Sequence, residues 1–175
     1  MTTAANKKRV KRKSPKAPPS TWNPNIVVFA CNWCSYAGAD TAGVSRIQHQ
    51  PHFRMIRVMC SGRIQPSFVL HAFEKGADGV LVSGCHPGDC HYLTGNFYAR
   101  RRFQLIHDIL DQIGMEPDRV RFSWVSAAEG VKFASLISDY TARIKDLGPS
   151  KKLVKDIIPW HSLVKEKTDQ KHNHD

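Results

Sequence analysis

With 175 residues, 41% apolar content and no apolar run near the ~20 residues of a membrane span, the chain is expected to form one soluble domain with tails. Its basic N-terminus lacks a following apolar stretch, so no secretory signal is read. A cytoplasmic, thiol-reducing location is expected, where five cysteines indicate metal or redox chemistry more than disulfides. The net charge of +11 belongs to the tails: seven of the 26 basic residues lie in 1–24, and six, with four of the 15 acidic residues, lie in 150–175. That leaves 13 basic against 11 acidic residues in 25–149, so nucleic acid is not expected as a partner.

Residues 1–24 combine the cationic run Lys7–Lys16 with Pro15, Pro18, Pro19 and Pro24, the composition of a flexible or partner-ordered arm. The domain is placed at 25–149. Ile26–Ala30 is a continuous apolar run of strand length, and a short helix is placed at Ala39–Gln48. Phe53–Met59 reads as a second strand. Pro66 then opens a helix that buries Val69, Leu70, Ala72 and Phe73 and stops at Gly76. Gly79–Gly84 is a third strand, followed by an irregular stretch, Cys85–Gly95. A long helix presents Ala99, Phe103, Ile106, Leu110 and Ile113 on one face and ends at Gly114. Val120–Val125 is the fourth strand, and Ser126 with Glu129 has the spacing of a capping box for a last helix. After Pro149, the apolar residues Leu153, Val154, Ile157, Ile158 and Trp160 interrupt a Lys-rich tail, 150–175, that is expected to dock on a partner or on the domain.

Strands alternating with helices imply right-handed crossovers. The expected fold is α/β: a small doubly wound, flavodoxin-like four-stranded parallel sheet with helices on both faces. Such sheets bind ligands beyond the carboxyl ends of their strands.

All five cysteines fall at those ends. Cys31 and Cys34 follow the first strand, Cys60 the second, and Cys85 and Cys90 the third, so three loops bring five thiols toward one edge. Soft sulfur donors select zinc or iron–sulfur clusters over magnesium and calcium. The lone Cys60 and the four-residue gap from Cys85 to Cys90 suit a two-iron cluster better than a zinc knuckle, with four ligands and one surplus thiol. Two other readings stay open: a zinc-stapled interaction module with a basic nucleic-acid-binding arm, and a thiol oxidoreductase working through Cys31 and Cys34.

Around these thiols, Trp33 is a candidate shield for the site or part of the core. His86 and His91 are candidate donors to sulfur or surface residues, and Arg63 a candidate tuning charge. Arg100–Arg102 reads as a solvated helix face or a docking patch. No phosphate-binding loop follows the first strand, so FMN is not expected, and no hydrolytic triad or paired carboxylates stand out.

The segments from Val28 through Cys31-Asn32-Trp33-Cys34 to Asp40, then Met59-Cys60-Ser61-Gly62-Arg63, Gly84-Cys85-His86-Pro87-Gly88-Asp89-Cys90-His91-Tyr92 and Ser126-Ala127-Ala128-Glu129-Gly130 carry a specific resemblance. Over about residues 26–147 the chain resembles the delta (iron–sulfur) subunit of methyl-viologen-reducing [NiFe] hydrogenase. That resemblance implies one [2Fe–2S] cluster held by cysteines among the five. It also implies electron transfer from a hydrogenase or formate dehydrogenase to the flavin-bearing subunit of heterodisulfide reductase, where electrons are bifurcated. The implied source is a strict anaerobe, a methanogen or a relative.

Overall fold

Four apolar runs form one parallel sheet in a computed structural model that describes residues 22–151 and Leu153. They are β1 (Ile26–Cys31), β2 (Phe53–Val58), β3 (Gly79–Gly84) and β4 (Val120–Trp124), in the order β2-β1-β3-β4. β1 and β3 are central, which explains their largely apolar, buried sequences; the edge strands β2 and β4 include exposed residues. Side chains leave the sheet alternately. Ile26, Val28, Ala30 and Leu81 pack under α1 (Ala37–Val44) and α4 (Gly130–Leu147) on one face. Phe29, Val80 and Val82 pack under α2 (Pro66–Glu74) and α3 (Gly95–Gln112) on the other. The doubly wound architecture therefore forms as expected. The register pairs Ala30 with Ser83 and Cys31 with Val58, so β1, β2 and β3 end level with one another. The strand order reverses between β1 and β3, and Cys31 and Cys85 emerge on either side of that crevice.

Several boundaries differ from expectation. The helix expected at Ala39–Gln48 begins earlier, because a wide π-helical turn, Asn32–Tyr36, carries the chain from β1 straight into α1. α4 starts at Gly130, later than a cap at Ser126 would place it. The Glu129 carboxylate accepts the Ser126 N–H at 2.7 Å, and the Glu129 N–H donates back to the Ser126 carbonyl, which closes a separate turn and leaves Glu129 as the cap. Ile113 is not on the buried stripe of α3; it caps that helix, half exposed, while Met115 folds back into the core. Leu70 and Ala72 are half-buried at the margin of the core and not inside it.

The amino end of the sheet is closed by a polar network. Buried Arg119 donates to the carbonyls of Asp78, Leu147 and Gly148 and pairs with Glu116 at 2.9 Å. The Tyr140 hydroxyl reaches the Val80 and Arg119 carbonyls, and burial pushes its pKa up. The Asp78 carboxylate accepts the N–H groups of Asn25 and Ser150. No described helix is long and apolar enough to cross a membrane. The expectations for Lys7–Lys16 and for the tail beyond Leu153 lie outside the described residues.

Candidate metal centre

The five thiols meet at the carboxyl end of the sheet. Cys31 is the last residue of β1, Cys34 lies in the π-helical turn, Cys85 follows β3 directly and Cys90 precedes α3. Cys60 caps a short 3₁₀ turn, Ser61–Arg63, and its sulfur accepts the Gly62 N–H at 3.4 Å. Cys31, Cys85 and Cys90 are buried, with Cys34 and Cys60 half-buried against them. Cys31 Sγ lies 3.6 Å from Cys85 Sγ, and Cys60 Sγ lies 4.0 Å from Cys90 Sγ. Among the described residues no group of three or more histidine, cysteine, aspartate or glutamate side chains is arranged to hold a metal ion as it stands; Cys85 contacts both Cys31 and Cys34, and Cys60 contacts Cys90.

The backbone around the sulfurs is rich in donors. A hydrogen bond from Cys85 holds Cys31 down to about 6 against the opposing effect of burial, with the N–H groups of Trp33, Ser61 and Cys34 adding to it. The same contact with Cys31, together with burial, pushes Cys85 far up. Burial raises Cys34, and raises Cys60 to about 11. Burial opposes charge at Cys90 too, but the N–H groups of Tyr92, Asn96 and Gly95 outweigh it and hold that thiol below its ordinary value. Peptide dipoles from all three loops thus favour thiolate, the form that binds metal.

Side chains that sequence reading passed over hold this arrangement in place. A Cβ at Gly95 would overlap Cys60 Sγ and come within 3.3 Å of Cys90 Sγ, and one at Gly62 would lie 2.7 Å from the Gly95 carbonyl. Only glycine lets the two cysteine loops approach so closely. Buried Asn96 donates to the carbonyls of Cys85 and His86, at 3.2 and 2.7 Å, and fixes the loop before α3. Arg102 reaches the Gly62 and Ile64 carbonyls and secures the Cys60 loop, so this member of the arginine run is a structural clamp and not a solvated charge. Ser83 donates to Ser35 at 2.9 Å beneath the π-helical turn. Ser61 Oγ is buried and has no hydrogen-bond partner among the described residues.

The remaining candidates lie at the rim. Trp33 is not core: it is 43% exposed and stacks on His91 with ring centroids 3.9 Å apart. His91 also meets the edge of Tyr92. The His86 ring bonds the Glu129 carboxylate at 2.7 Å, with Lys132 beside both, so it is held by α4's cap and not by a sulfur. Arg63 is exposed at the end of the 3₁₀ turn.

Residues 26–148 match the family model of the methyl-viologen-reducing hydrogenase delta subunit. The chain is 57% identical over 128 residues to the iron-sulfur subunit of the F420-non-reducing hydrogenase vhc of Methanococcus voltae, covering 73% of this chain and 89% of that protein. It is 52% identical over 130 residues to the iron-sulfur subunit of the F420-non-reducing hydrogenase of Archaeoglobus profundus, covering 74% and 95%. It is also 48% identical over 126 residues to part of a ferredoxin/F(420)H(2)-dependent CoB-CoM heterodisulfide reductase subunit of Methanosarcina acetivorans, where 72% of this chain covers 16% of a much longer protein. This chain belongs to the methyl-viologen-reducing hydrogenase delta subunit family.

Proposed function

We propose that this chain is an electron-transfer subunit carrying one [2Fe–2S] cluster at the carboxyl edge of its sheet. It relays electrons from a hydrogenase or formate dehydrogenase to the flavin-bearing subunit of heterodisulfide reductase, in the electron bifurcation that serves methanogenesis in the cytoplasm. The observation that carries this reading is the gathering of five thiols from three loops at the crevice where strand order reverses.

The residues fit the group. The donor set is all sulfur, the chemistry that selects iron–sulfur clusters or zinc. With metal–sulfur bonds of about 2.3 Å, two thiolates on one tetrahedral metal lie about 3.8 Å apart. The contacts at 3.6 and 4.0 Å bracket that value, the spacing of thiolates that share a metal. The Ser61 hydroxyl, next in sequence to Cys60, is buried without a partner among the described residues, and a cluster bound here would offer it an acceptor. A cluster bound here supplies a one-electron redox centre. Four of Cys31, Cys34, Cys60, Cys85 and Cys90 hold it, the peptide N–H groups offset thiolate charge, and Trp33 with His91 excludes water at the rim. The names of the relatives support the route. A segment 48% identical to this chain occurs inside the much longer heterodisulfide reductase protein, which favours docking of this domain on that reductase when the two are separate chains.

Serine replacement of each cysteine in turn, with iron measured after anaerobic purification, tests the assignment. Four variants are expected to lose most of their iron and one to keep it; retention in all five would refute it. The thiol oxidoreductase reading is disfavoured by Cys31, the member of the Cys31–Cys34 pair whose pKa is lowered, because it is only 1% exposed and out of reach of a disulfide substrate.

A further inference from the structure

An apolar cleft of about 340 Å³ opens on the face opposite α4, between α2 and the β2 edge of the sheet. Val27, Phe29, Ile56, Phe68, Ala72 and Ala77 form its wall, and Ile56 and Phe68 are 45% and 43% exposed there. An apolar surface of this kind is a place where something docks.

The path of the chain identifies what docks. Arg119 holds the carbonyls of Leu147 and Gly148 under the sheet. Two residues on, the Ser150 N–H donates to Asp78 Oδ1 at 2.9 Å, while the Asn25 N–H donates to Asp78 Oδ2 at 2.8 Å. One carboxylate therefore ties the outgoing chain to Asn25, which lines the cleft, and to the neighbour of Ala77 in its wall. Leu153 then packs against the same core cluster as Val27 and Ala72, so the chain has crossed from the α4 face to the cleft's face. Val154, Ile157 and Ile158 come next, at the spacing of one helical face, before Pro159 and Trp160. Residues 150–160 carry Lys151, Lys152 and Lys155 against the single acid Asp156, and Arg54, His71 and Lys75 are among the cleft's lining, so the docking rests on apolar contact and not on charge. This segment lies beyond the family match, which ends at residue 148.

We propose that residues 154–160 of this chain dock into the cleft between α2 and β2, with Val154, Ile157 and Ile158 covering Ile56 and Phe68. The contact belongs to this chain's own extension and does not depend on which metal the opposite edge holds.

Hydrogen exchange on the full chain tests this, comparing the wild type with Ile157→Asp/Ile158→Asp and, separately, with Phe68→Glu. In the wild type, amides of 154–158 should exchange about tenfold or more slowly than in either variant, and amides of α2 should lose protection in the double variant. Unprotected amides at 154–158 in the wild type, with α2 unchanged in the double variant, would overturn the proposal. So would protection that appears only as concentration rises and a dimer forms, since the cleft would then take a second copy.

Discussion

The two ends of the sheet treat buried polarity in opposite ways. At the amino end, Arg119, Tyr140 and Asp78 are engaged by carbonyls and N–H groups of the strands and of the chain leaving α4, so the end is closed. At the carboxyl end, five thiols and the unpartnered Ser61 hydroxyl are held together by two glycines, Asn96 and Arg102, under a rim of Trp33 and His91. One end holds the fold; the other gathers the thiols that the proposed cluster would need. Substitutions at the first should cost stability, and substitutions at the second should cost metal.

Arg119→Met sets the upper bound of that contrast. Three buried carbonyls lose their donor, each worth about 1–3 kcal/mol, so denaturant unfolding should show a loss of about 3 kcal/mol or more, while the molecules that still fold keep their iron. Gly95→Ala should invert the pattern. Its methyl group displaces Cys60 Sγ, so iron per chain should fall below about half, for an overpacking cost of about 1–3 kcal/mol in the metal-free chain. Ser61→Ala sharpens the comparison further, because removing an unsatisfied hydroxyl should leave the metal-free chain as stable as before or about 1 kcal/mol more so. In the proposed cluster-bound protein the hydroxyl would have sulfur to donate to, and the same change would remove that donor. A redox titration should find the midpoint potential lower by about 59 mV, a tenfold change for one electron.

The smallest effect concerns pH. The Ser126 N–H, followed by His86, holds Glu129 down to about 2 from an ordinary 4.5. A carboxyl lowered on folding contributes stability that is complete above 4.5 and is lost as pH falls from 4.5 toward 2. Glu129→Gln should flatten the acid limb of stability against pH in that window and lower stability by a constant amount above about pH 5.

Much of this organisation was legible in the sequence. The largely apolar runs of β1 and β3 announced strands buried on both faces, and placing each cysteine just after a strand put all five at one edge of a parallel sheet. What stayed hidden was contact across long separations. Nothing local tells that Arg102 will clamp the Cys60 loop, or that Glu129 will take His86, 43 residues away, and start its helix late. The π-helical turn at Cys31–Cys34 was equally silent, since one wide turn leaves no periodicity to read. Gly62 and Gly95 carried a usable signal, glycines flanking thiols, but their purpose emerges only when the loops are seen to touch.

We propose that the carboxyl edge holds a two-iron cluster. Iron and acid-labile sulfide, counted on anaerobically purified full chain alongside its EPR spectrum, test it most directly. About two irons and two sulfides per chain are expected, with a paramagnetic signal that appears on one-electron reduction. A colourless protein with one zinc and no sulfide would contradict it.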